Sequence, residues 1–170
     1  MMRTYFKLTK PGIIFGNLIS GVAGYFLASR GTHSLSVFFG VFAGTALIIG
    51  ASCVANNIID VDIDKRMKRT QKRAITSGEV SVTNAWIFAG VLSIAGYAVL
   101  VLFTNWLAVA AGAIGMFFYV VVYGWAKRNT VHSTLVGSIS GATPPFAGYV
   151  AVTGNIDSAA ILLFWLCGSP

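Results

Sequence analysis

The stretch Leu35 to Ile59, LSVFFGVFAGTALIIGASCVANNII, carries no charge in 25 residues and runs directly into Asp60-Val61-Asp62-Ile63-Asp64. About 20 apolar residues in a helix cross a hydrocarbon core of about 30 Å, so this stretch spans a membrane with room for tilt. Gly40, Gly44, Gly50, Ala51, Ser52 and Ala55 within it would let a neighbouring helix approach closely. The fold class therefore turns on how many such stretches the chain holds.

Outward from this span, uncharged runs cover residues 13–28, 84–103, 107–125 and 133–152, and a partial sixth starts at 159. Of the 170 residues, 56% are hydrophobic and 10% are charged, against about 25% charged in a soluble domain. The chain reads as an all-α, polytopic transmembrane helical bundle forming one membrane domain. A soluble enzyme, a disulfide scaffold and a disordered tail are excluded. Thr104-Asn105-Trp106 is too short to join its flanking spans except as antiparallel neighbours. Pro144-Pro145 removes two backbone donors and is expected to bend or break the fifth span. Cys53 and Cys167 both lie in apolar runs, which suggests packing rather than a disulfide or metal pair.

The net charge of +7 would raise nucleic acid as a partner in a soluble protein, but here position decides. Alternating sides span by span places eleven of the twelve Lys and Arg residues on one face and leaves Arg30 alone on the other. The positive-inside rule makes the first face cytoplasmic, so the N-terminus and the loop after the second span are expected inside, and no nucleic acid is implied. The basic start, Met1 to Lys10, lacks a small-residue cleavage site after its apolar run and reads as an uncleaved first helix.

Chemistry concentrates where the second span ends. If the helix continues, Asn56, Asp60 and Asp64 recur every four residues, each turned about 40° and displaced about 6 Å from the last. Three hard oxygen donors in a stripe suit Mg²⁺, which keeps several waters and prefers one or two carboxylates plus substrate phosphates. Arg69 and Arg73, four apart in the following basic run, are placed to face one anion with forked donors. Acids for the metal beside bases for phosphate oxygens make a diphosphate clamp, although acid-rich and base-rich loops also serve as solvated faces or topology signals. Asn56 and Asn57 weigh for the clamp, because amides at the end of an apolar helix need a partner or a water-filled cavity. Asp62 faces elsewhere and reads as a solvent contact.

The run Cys53-Val54-Ala55-Asn56-Asn57-Ile58-Ile59-Asp60-Val61-Asp62-Ile63-Asp64, with Arg69, Thr70 and Arg73 following, resembles the first aspartate-rich motif, NxxxDxxxD, of the UbiA-type intramembrane prenyltransferases. Thr9 to Ser20 and Gly137 to Pro145 resemble the opening and fifth-helix signatures of its haem-farnesylating branch, the haem O synthases. The resemblance implies transfer of a farnesyl group from farnesyl diphosphate to a vinyl group of haem b in the bacterial inner membrane. Asn56, Asp60 and Asp64 would then bind Mg²⁺ with the diphosphate, and Arg69 and Arg73 would steady the leaving group. Asn57, Lys65 and Asn17 complete the candidate substrate-binding set. Other haem-biosynthesis or terminal-oxidase proteins are candidate partners. Members are similar in having about nine spans and a second aspartate-bearing motif after the sixth. This chain stops within the sixth and departs from the pattern after Trp165, so it is expected to be the N-terminal part and inactive alone.

Two rivals stay open. One is a prenyltransferase for a quinone or chlorophyll precursor, and the other is a transport or channel subunit, whose ionisable residues would be expected near the midplane. His132 is a candidate haem ligand or base and His33 a candidate propionate contact, each weighed against an ordinary interfacial or loop residue. Asn17 lines the chamber or ties two helices. Tyr119, Tyr123 and Trp125 read first as an interfacial aromatic belt.

Overall fold

The computed structural model describes residues 2–32, 34–130 and 133–169. The order is α1 (Met2–Leu8), α2 (Pro11–Ser29), α3 (Leu35–Ile59), the single turn α4 (Val61–Asp64), α5 (Val82–Phe103), α6 (Trp106–Asn129), α7 (Ser133–Thr153) and α8 (Ser158–Gly168). Their limits follow local chemistry. Pro11 sits in the first turn of α2, where its missing donor is harmless. Ser81 Oγ accepts from Asn84 N (3.2 Å) at the start of α5. Asn105 Oδ1 accepts from Leu107 N and Ala108 N (both 3.1 Å) to start α6. Its Nδ2 donates across to Val150 O at 2.7 Å, which pins the α5–α6 turn to α7.

Four helices, α2, α3, α5 and α6, are long and apolar enough to cross a membrane. The protein is an integral membrane protein, an all-α polytopic transmembrane helical bundle. At 21 residues α7 matches them in length and packs against α2, α6 and α8, burying Ala142 to Pro145 and Ala147 to Ala151. Thr143, Tyr149 and both prolines thus face protein rather than lipid, which is where polar groups at membrane depth are tolerated.

Of the two outcomes expected at the prolines, the break does not occur, because α7 is one continuous helix through Pro144 and Pro145. Thr143 Oγ1 donates to Ser140 O at 2.7 Å, replacing the bond that Pro144 cannot make. Close packing supports the rest. A Cβ built on Gly24 would lie 2.0 Å from Pro145 O, and one on Gly148 would lie 2.0 Å from Gly21 O. So α2 and α7 meet backbone to backbone, as small residues permit.

Both α3 and α6 contain one π-helical turn, Gly40–Gly44 and Phe118–Val122. A π turn inserts an extra residue, rotates everything beyond it and often marks a functional site. The second carries Tyr119.

Candidate active site

The apolar end of α3 delivers the site. Asp60 N donates to Asn56 O (3.0 Å) and Asp64 N to Asp60 O (2.8 Å), so the four-residue stripe survives the break between α3 and α4. Asn56, Asp60 and Asp64 are all buried, at 3%, 9% and 4% exposure, and all line one cavity of about 670 Å³ at the end of the bundle. Asp62 is exposed to solvent. The loop folds back over this mouth because Thr70 Oγ1 donates to Asp64 O at 3.1 Å, which brings Arg69 and Arg73 to the wall.

Every oxygen donor is already in contact with a cation. Arg73 Nη1 donates to Asp64 Oδ2 at 2.6 Å. Lys127 Nζ donates to Asn56 Oδ1 at 2.6 Å and also to Asp60 Oδ2. Arg128 Nη2 lies 3.7 Å from Asp60 Oδ1 and donates to the Ile59 carbonyl. Lys10 lines the same mouth, and its ammonium makes no hydrogen bond or ion pair among the described residues. Burial above all, with the positive charges of Arg73 and Lys127, holds its ammonium below the ordinary lysine range against the opposing pull of Cys53 and then Asp60. Its backbone is left-handed, with φ 52° and ψ 70°, a conformation that is strained for a side-chain-bearing residue and further constrained here by Pro11. Four cations, Lys10, Arg69, Arg73 and Lys127, thus face two carboxylates in the lining. The mouth is built for a polyanion.

The donor set also fits a hard cation. Asp60 Oδ1 is buried and has no hydrogen-bond partner, and the neighbouring donors are oxygens of Asn56 and Asp64. Among the described residues no three His, Cys, Asp or Glu side chains cluster, so the set is two carboxylates and one amide.

Behind the mouth lies an apolar chamber of about 220 Å³ bounded by Ile48, Leu100, Ala108, Gly112 and Met116. Ile13, Tyr119, Gly137 and Ser140 line both spaces and form the seam between them. Tyr119 stacks on Tyr123, with ring centroids 5.7 Å apart, and its hydroxyl lies 4.0 Å from Cys53 Sγ. This corrects the aromatic-belt expectation for Tyr119 and Tyr123, which face the site; Trp125 is 61% exposed and fits it.

Three further candidates need comment. Asn57 is buried but turned away from the mouth, donating from Nδ2 to Leu8 O at 3.1 Å, because one step along a helix is about 100° of rotation. It ties α1 to α3. Lys65 is exposed and outside the lining, on the solvent side of the turn after α4. Asn17 does line the chamber, with Nδ2 donating to Ile13 O at 2.8 Å within its own helix. His33 and His132 lie outside the described residues. Sequence reasoning missed Lys10 and Lys127. A base directly before the first span and one directly after the fourth were the available signals.

Residues 17–169 match the model of the UbiA prenyltransferase family. The chain is 48% identical over 163 residues to protoheme IX farnesyltransferase 1 of Shewanella frigidimarina, covering 95% of this chain and 54% of that protein. It spans about half the length of the curated relatives it matches. A solved structure concerned with digeranylgeranylglyceryl phosphate synthase superposes with a TM-score of 0.86 at 23% identity, over 98% of this chain and 58% of that one. A UbiA homolog from Archaeoglobus fulgidus, bound to DMAPP and Mg²⁺, gives 0.81 at 18% identity, over 97% and 60%. With a matching family model over most of its length and the same bundle architecture, the chain belongs to the UbiA prenyltransferase family.

Proposed function

We propose that the protein transfers a farnesyl group from farnesyl diphosphate to a vinyl group of haem b, forming haem O. The observation that carries this reading is a cationic mouth and an apolar chamber set side by side, with Ile13, Tyr119, Gly137 and Ser140 lining both. An allylic diphosphate has the same division between polyanionic head and greasy tail. The name of the bacterial relative supplies the donor and acceptor pair.

In this reading Asn56, Asp60 and Asp64 hold Mg²⁺ with the diphosphate. Bound there, the metal neutralises charge that grows on the departing oxygens. Lys10, Arg69, Arg73 and Lys127 grip the remaining oxygens, where a site shielded from water makes fixed cations more effective than they would be in bulk solvent. The chamber takes the isoprenoid chain and keeps water from C1. The C1–O bond breaks, C1 joins the terminal vinyl carbon, and the adjacent porphyrin-side carbon takes hydroxide from water, whose proton passes to solvent. Five crossings, with α7 as the fifth, put the N-terminus and the mouth on the cytoplasmic side, where eleven of twelve bases cluster.

The test grafts residues 1–165 of this chain in place of the matching segment of the Shewanella relative. Membranes supplied with haem b, farnesyl diphosphate and Mg²⁺ should then yield haem O by chromatography. Asp60→Asn and Asp64→Asn should each reduce the yield by about 100-fold or more, the scale of losing one group that stabilises developing charge. Full yield from both variants with Mg²⁺ limiting would sink the assignment.

A further inference from the structure

Lys127 bonds to two of the three candidate metal donors at once, Asn56 Oδ1 and Asp60 Oδ2. We propose that Lys127 is a resident counterion: it keeps bare divalent metal out of the mouth and is displaced only when metal and diphosphate arrive together. This rests on the reading of the mouth as a metal-diphosphate site and adds an order to its filling.

Three observations support the exchange. Lys127 occupies the space between Asn56 and Asp60 that a shared cation would need, so metal cannot bridge that pair while the ammonium stays. The other cations are held differently. Arg73 is bonded to Asp64, and Arg128 is anchored on the Ile59 carbonyl 3.7 Å from Asp60. Among the described cations of the mouth, Lys127 combines a compact charge on a flexible stem with an alternative neighbour, the Tyr123 ring, whose centroid is 5.4 Å from Nζ.

The charge balance then sets the order. Bare Mg²⁺ would have to evict an ammonium into a lining that already holds Lys10, Arg69 and Arg73, adding positive charge to positive charge. A diphosphate reverses this, because it gives Lys127 new oxygens to bond and offsets the incoming metal. Metal and diphosphate must therefore strengthen each other, and by linkage each raises the other's affinity by the same factor. Lys127 is a positioning residue in this step, acting through Asn56 and Asp60.

The experiment is equilibrium dialysis of Mn²⁺ against the 170-residue chain in zwitterionic nanodiscs, with empty nanodiscs as reference, counting metal per protein with and without inorganic pyrophosphate. Wild type should bind Mn²⁺ alone weakly, and pyrophosphate should tighten it by about tenfold or more, within the usual range of coupling between sites. Lys127→Met should bind Mn²⁺ alone about tenfold more tightly than wild type and lose most of the coupling. Lys127→Arg, which keeps the charge, should still bind Mn²⁺ alone as weakly as wild type. Equal affinity of wild type for Mn²⁺ with and without pyrophosphate overturns the proposal, and that comparison needs no variant. So does Lys127→Met with no gain in metal alone. If no protein retains Mn²⁺ even with pyrophosphate and Asp60→Asn behaves identically, the metal-diphosphate reading itself fails.

Discussion

Lys127 Nζ lies 2.6 Å from Asn56 Oδ1, joining the ends of α3 and α6 across 71 positions of sequence. The same ammonium bonds Asp60, so removing either charge leaves the other, in a largely buried setting, with only a weaker partner: Arg128 for Asp60 and the Asn56 amide for Lys127. Asp60→Asn and Lys127→Met should each lower thermal stability in detergent. The double variant should lose less than the sum of the two, with a coupling of about 1–3 kcal/mol. Asp62→Asn, on the exposed face, should stay within about 0.5 kcal/mol of wild type. Additive losses for the pair would show that the contact has no energetic consequence.

The α2–α7 crossing gives a sharper stability prediction. Alanine at Gly24 or Gly148 would push a methyl to 2.0 Å from a carbonyl oxygen of the opposite helix, and backbone has little freedom to yield. Each should destabilise by about 1–3 kcal/mol or more, the range for overpacking. Gly16 sits in the same helix with nothing within 4 Å of a built Cβ, and alanine there should be neutral or gain up to about 1 kcal/mol from helix propensity. Melting temperatures of the three variants would rank the sites. Equal effects at Gly16 and Gly24 would contradict the close approach.

Much of this arrangement was legible in the sequence, and the rest failed for identifiable reasons. Hydropathy places the apolar helices because each is a long uncharged run, and a four-residue spacing puts Asn56, Asp60 and Asp64 together because the i to i−4 bonding persists through Asp60. Asn57 misled because adjacency in sequence is not adjacency on a helix. Tyr119 and Tyr123 read as an interfacial belt because they lie near the end of an apolar run, and only the packing of α6 shows that they line the mouth. Sequence alone left open whether Pro144-Pro145 bends or breaks the helix, because the compensating donor, Thr143 Oγ1, and the facing glycines of α2 become visible only in three dimensions. Lys10 and Lys127 carry no local motif, and only packing of α2 and α6 around α3 brings them to the acids.

Lys10 should make anion binding sensitive to pH from an unusually low value. Its folded-state ammonium titrates below the ordinary lysine range, chiefly because it is desolvated, while in the unfolded chain it titrates normally. The unfolded state therefore holds more protons between the two values, so stability rises with pH across that window and the penalty is fully present below it. Pyrophosphate affinity should move the opposite way, falling as Lys10 discharges and the anion loses one of its cationic partners. Lys10→Met should weaken binding on the acid side of the Lys10 titration and flatten that limb of the profile. An unchanged profile in that variant would remove Lys10 from the anion wall.

The chamber floor makes a prediction about chain length. A Cβ on Gly112 would come 3.2 Å from Ile48 Cδ1 and 3.3 Å from Leu100 Cδ1, and Leu100 is buried to 2% exposure. Alanine fits only if those methyls give slightly, whereas a branched residue fills space that an isoprenoid tail would occupy. Gly112→Val should therefore weaken binding of a farnesyl thiolodiphosphate more than that of a geranyl one, because each further methylene denied burial forfeits about 0.8 kcal/mol. Pyrophosphate, which has no tail, should bind the variant as it binds wild type, and this separates a shortened chamber from a damaged mouth. Competition among the three ligands in nanodiscs measures the difference. Equal weakening of all three would mean that Gly112 supports the helix packing and does not set the depth of the chamber.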